Sequence, residues 1–141
     1  MKILAEISVG ELFDKITILN IKTQKINESD KLINIKNELK FLKNQVSNIK
    51  VKDQNSLSQN INKLQSINEE LWNIENYKRE CEANKDFGEK FIQLSRDVHF
   101  KNDIRAQIKK EINFLTDSII VEEKEYSKYW RYKGWLIYLS I

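Results

Sequence analysis

The 141-residue sequence has no proline and only three glycines. Nothing in it interrupts a helix except polar linkers, so long helices suit it. Its single cysteine, Cys81, excludes an intrachain disulfide, and no zinc-ligand spacing surrounds it. The single histidine, His99, has no neighbouring Ser or Cys with which to form a base–nucleophile pair. One His, one Cys and scattered carboxylates give no metal site, and no cofactor is implied. No segment approaches the roughly 18 apolar residues of a membrane span. The start, Met1-Lys2-Ile3-Leu4-Ala5-Glu6, has too short an apolar run for a signal peptide, so a cytoplasmic location is the expectation. A net charge of +3, with Lys and Glu interleaved, argues against a nucleic-acid partner.

What is present is helical patterning. In Ile7-Ser8-Val9-Gly10-Glu11-Leu12, Ser8 and Glu11 have capping-box spacing, and Ile7 and Leu12 occupy the positions of a hydrophobic staple. The first helix continues with Leu12, Ile16, Leu19 and Ile26, widened by Phe13, Ile18 and Ile21, and so few positions face solvent that it belongs at the centre. After the turn Asn27–Asp30, Leu32, Ile35, Leu39, Leu42, Val46 and Ile49 form a heptad seam of about two and a half repeats. Residues 51–58 read as a polar connection to a third helix carrying Leu57, Ile61, Leu64, Asn68, Leu71 and Glu75. The second and third helices are expected to form a coiled-coil-like antiparallel hairpin on which the first and fourth pack. Asp86 is expected to cap the fourth helix.

That fourth helix holds the most informative feature. Phe87, Phe91, Leu94, Val98, Ile108, Ile112 and Leu115 make one apolar face, yet between Val98 and Ile108 the same face carries Asn102 and Arg105, with Lys109 and Asn113 beside it. Replacing a buried leucine-sized group there forfeits about 1.5–3 kcal/mol. Something polar must therefore meet that face. The third helix also turns polar, through Asn68, Glu75, Arg79 and Glu82, and Asp14 and Lys22 of a central first helix could join. Lys22, Glu75, Arg79, Asn102, Arg105 and Lys109 form the candidate site. The cluster reads either as a closed ion-pair network that fixes helix register or as an anion site in which Arg105 and Lys109 hold a carboxylate or phosphate. The closed network is the preferred reading.

Beyond Ser118 the composition changes: Tyr126, Tyr129, Trp130, Tyr132, Trp135 and Tyr138 are mixed with Lys128, Arg131 and Lys133. Such residues suit a core lid or a subunit interface, with Tyr129, Trp130, Trp135 and Tyr138 the candidate contacts. Attachment to a membrane surface ranks behind that, and stacking on nucleic acid behind both.

Several separated motifs in order carry a family resemblance: Ser8-Val9-Gly10-Glu11-Leu12-Phe13-Asp14-Lys15-Ile16-Thr17-Ile18-Leu19, Leu71-Trp72-Asn73-Ile74-Glu75, Asp86-Phe87-Gly88, Asn102-Asp103-Ile104-Arg105 with Lys109 and Asn113, and Glu122-Glu123-Lys124 with Tyr126. Over about residues 3–129 the chain resembles a small bacterial family of unknown function. The resemblance implies no activity, only a loose association with cell-surface sugar or glycosyltransferase genes.

The expectation is an all-α antiparallel bundle of about four helices over residues 1–118, with an aromatic tail over 119–141 packed on the bundle or a partner. The expected role is a non-catalytic interaction or scaffold module that self-associates, most simply as a homodimer, or engages another protein. The alternative is a small all-helical enzyme or binding protein taking an anionic metabolite at Arg105 and Lys109.

Overall fold

The computed structural model describes residue 1 and residues 3–125. Four helices run in order: α1 (Val9–Lys25), α2 (Ser29–Val46), α3 (Gln54–Asn84) and α4 (Glu89–Leu115), with no strand among the described residues. The protein is an all-α bundle. None of these helices is long and apolar enough to cross a membrane.

The long partners are α3 and α4, of 31 and 27 residues, or about 46 and 40 Å at 1.5 Å per residue. They form the extended antiparallel hairpin of the molecule. Its sharp turn comes from the end of α3, where Lys85 enters the left-handed region at φ 52°. The Asp86 amide then donates to the Cys81 carbonyl at 2.9 Å and the Lys85 amide to the Glu82 carbonyl at 3.1 Å. This bonding closes the last turn and reverses the chain. Asp86 does not cap α4. Gly88 holds the N-cap position, and the Asp86 carboxylate instead accepts from the Gly88 amide at 3.2 Å, inside the turn. At the other end, α3 starts before the expected connection finishes. Asp53 accepts from the amides of Asn55 and Ser56 and nucleates the helix at Gln54.

Helix α1 lies against both arms of this hairpin and also against α2, which makes it the central element. Its Leu12, Phe13 and Ile16 join Leu57, Leu64 and Ile67 of α3 and Ile108 and Ile112 of α4 in the core. Leu64 and Ile112 have no exposed surface at all.

The heptad seam of α2 is not the seam of an α2–α3 hairpin. Helix α2 approaches only α1 closely, burying Ile35, while Leu39, Leu42 and Val46 are partly buried against the core. The reason is the relative wealth of apolar surface. Helix α1 buries five apolar side chains in 17 residues, Leu12, Phe13, Ile16, Leu19 and Ile21, whereas the 31-residue α3 spends part of its inward face on Asn60 and Asn68. The stretch from Ser47 to Asp53 is long enough to let α3 leave α2 and pair with α4 instead.

Candidate polar site between α1, α3 and α4

The polar break in α4 faces α1. Asp14, on the second turn of α1, is 1% exposed. A carboxylate so buried must be paired or neutralised. Arg105 supplies the pairing as a fork: its Nε donates to Asp14 Oδ1 at 2.8 Å, and its Nη2 donates to Oδ2. Asn68 of α3 adds a third donor, Nδ2 to Oδ1 at 2.9 Å. The same amide nitrogen donates to Thr17 Oγ1 at 2.9 Å, and Thr17 in turn donates to the Asp14 carbonyl at 2.9 Å. The hydroxyl proton is thereby committed to the backbone, which leaves its lone pair for Asn68. Asn102, one turn before Arg105, sits 3.4 Å from Arg105 Nη1 through its side-chain oxygen. Three helices thus meet at a single carboxylate.

One turn along α4, Lys109 is 6% exposed and joins three segments. Its Nζ donates to Glu11 Oε2 of α1 at 2.6 Å and to Glu122 Oε2 at 2.7 Å. Glu11 therefore does not complete a capping box by reaching back to Ser8. Ser8 performs its half alone, accepting from the Glu11 amide at 3.1 Å.

The start of α1 is sealed in the same way. A helix N-terminus leaves amide donors without intrahelical acceptors. Here the Val9 amide donates to Ser118 Oγ at 3.1 Å, and the Gly10 amide to Asn113 Oδ1 at 2.7 Å. Gly10 permits this approach. A Cβ at that position would stand 2.5 Å from the Lys109 carbonyl oxygen, so any side chain would drive the helices apart. Beyond α4 the chain turns through Asp117, at φ 47°, and the Ser118 amide closes on the Asn113 carbonyl at 2.9 Å.

Charge follows this geometry. Burial would raise the Asp14 pKa, but hydrogen bonds from Arg105 and Asn68 and the positive charges of Arg105 and Lys109 outweigh it and hold it below the ordinary value. The Asp14 hydrogen bond raises Arg105. Burial would lower Lys109, yet its bonds to Glu11 and Glu122 leave it raised. Glu122 is lowered by its hydrogen bond from Lys109. All four shifts favour the charged forms. The space enclosed beside Lys109, Asn113 and Glu122 is about 10 Å³, room for one water at most.

Of the residues singled out from sequence, Asn102, Arg105 and Lys109 come together here, with Asp14 and Asn68. Lys22 is half-buried further along α1, and Glu75 and Arg79 are exposed on α3. None of these three forms an ion pair among the described residues. Tyr129, Trp130, Trp135 and Tyr138 lie outside the described residues. Sequence reasoning gave no site role to Gly10, Thr17, Ser118 or Glu122. The signal for Gly10 was a helix-disfavouring residue placed inside the first turn of a strongly patterned helix.

The model of a family of unknown function, DUF6165, matches residues 1–131. The chain belongs to that family. The matched region contains every member of the Asp14–Arg105 and Lys109 network and continues through Tyr129 and Trp130, while Trp135 and Tyr138 lie beyond it. No curated protein and no solved structure gives a match.

Proposed function

We propose that this member of DUF6165 is a non-catalytic helical interaction module that self-associates, most simply as a homodimer in the cytoplasm. The observation that carries the reading is the saturation of the polar cluster. Arg105 has both forked donors on Asp14, and Lys109 lies between two carboxylates. The first amides of α1, the usual place for an anion to bind a helix, already have acceptors in Ser118, Asn113 and Ser8. An anion at Lys109 would have to displace Glu11 or Glu122 and would find about 10 Å³ to enter, and one at Arg105 would have to displace Asp14. These contacts favour a network that joins helices over an anion site.

The outer end of the α3–α4 hairpin offers the contact surface. Tyr77, Phe87 and Ile92 are each about half exposed there, and the Phe87 ring packs edge-on against Phe91 with centroids 5.4 Å apart. Aromatic and aliphatic groups gathered on a projecting hairpin suit a self-complementary two-fold interface. Size-exclusion chromatography with light scattering tests the proposal. A dimer mass that falls to the monomer mass in Ile92→Glu supports it. A monomer at every concentration sinks it.

A further inference from the structure

Residues 116–125 do not leave the bundle at the end of α4. They double back along it. The Ser118 amide is tied to Asn113, Glu122 to Lys109 and Glu123 to Lys110. Lys124 comes beside Ala106. The chain is therefore travelling opposite to α4, along the flank that α4 shares with α1.

That flank continues past Ala106. On α4 the positions three and four residues further back on the same side are Asn102, Val98, Ser95 and Phe91. Across from them on α1, the Glu11 and Asp14 side leads to Ile18 and Lys22. All six are neither buried nor fully exposed. Helix α2 does not cover them, since it approaches α1 and not α4, and each keeps part of its surface exposed. The strip mixes apolar groups with an amide and a hydroxyl, and Lys22 stands at its edge.

We propose that this α1–α4 flank is the docking face for the chain's own segment 126–141. Two observations select that occupant over a foreign one. The first is direction: Glu122 and Glu123 are pinned so that the next residues are delivered to the head of the strip. The second is reach. From Ala106 back to Phe91 is about 22 Å along the helix. Sixteen residues span about 24 Å even if helical and up to about 53 Å if extended, so the segment covers the strip in either form. Its Tyr126, Tyr129, Trp130 and Trp135 supply large rigid area for a surface of this mixed character. The segment adds a further layer to the bundle and shields the open edge of the Asp14–Arg105 pair, where the Arg105 side chain remains 28% exposed.

The test uses the full chain labelled with 5-fluorotryptophan. Its three fluorine resonances belong to Trp72, Trp130 and Trp135, and are assigned by Trp→Phe variants. With a soluble gadolinium chelate as relaxation agent, Trp130 and Trp135 are expected to be protected equally at all protein concentrations. Ser95→Glu and Val98→Glu are expected to bring both to the relaxation of free tryptophan while Trp72 keeps its shift. Should Val98→Glu move Trp72 as well, Ser95→Glu decides. The proposal is overturned by unprotected Trp130 and Trp135 in the parent chain, or by protection insensitive to Ser95→Glu. It is also overturned by protection lost on dilution, which would seat the segment on a second copy, or gained only with anionic vesicles, which would seat it on a membrane.

Discussion

Arg105 holds Asp14 from across 91 positions of sequence, with Nε on one carboxylate oxygen and Nη2 on the other. The two partners are unequally buried, because the Asp14 side chain is 2% exposed and that of Arg105 28%. Removing one is therefore unlike removing the other. Arg105→Ala strands a buried carboxylate and is expected to cost about 3 kcal/mol. Asp14→Asn keeps the shape and lets Arg105 swing outward, at about 1–2 kcal/mol. The double variant should cost less than the sum of the two. Urea unfolding at neutral pH measures all three. Equal losses for the two single variants would show that burial does not set the asymmetry.

Gly10 is where α1 and α4 come closest. A methyl group there meets backbone, the Lys109 carbonyl, which cannot rotate aside as a side chain could. Gly10→Ala should therefore destabilise by about 1–3 kcal/mol, although alanine is the better helix former. A thermal melt decides the sign, and a gain in stability would mean that the helices part without cost.

Acid should weaken the bundle through the same cluster. Asp14 and Glu122 are both held below their ordinary values in the folded protein. Their contribution is complete above the unfolded carboxyl range, near pH 4. It declines as pH falls below that range and through the lowered folded values, because there the unfolded chain binds more protons. Stability is expected to be flat from neutral pH down to about pH 5 and then to drop. In Asp14→Asn the acid slope should be shallower by up to about 1.4 kcal/mol per pH unit. Parallel acid limbs for the parent and the variant would remove Asp14 from the account.

Lys85 occupies a left-handed position at the end of α3, where a side chain costs about 1 kcal/mol relative to glycine. Its own side chain is exposed and forms no ion pair among the described residues. Lys85→Gly should stabilise the α3–α4 turn by about that amount, visible as a rise of a few degrees in melting temperature. A lower Tm would place a compensating contact at Lys85.

Periodicity made the four helices legible because each carries apolar residues at three- and four-residue spacing. It could not name partners. The Leu32–Ile49 seam announces that α2 packs on something, and chain order suggested α3. It packs on α1 instead. The polar break around Asn102 and Arg105 was equally visible, as was the need for a counter-surface. That surface is shared: Asn68 of α3 contributes, while Glu75 and Arg79 stay exposed and Asp14 supplies the charge. Asp14 was legible only as a residue that could join the cluster, and the close crossing at Gly10 is what brings it inside. Glu122 was illegible for a different reason. Its role depends on a chain reversal at Asp117, which leaves no periodic trace.

The start of α1 draws its acceptors from Asn113 and Ser118 and its counter-charges from Arg105 and Lys109, all about 90 to 110 positions later in sequence. During synthesis this helix emerges long before any of them. Until α4 is made, Asp14 lacks the cation that its burial requires. The element at the centre of the bundle is thus the first helix to be translated, yet part of what holds it is the last. The polar cluster of α1 is complete only once α4 has been made.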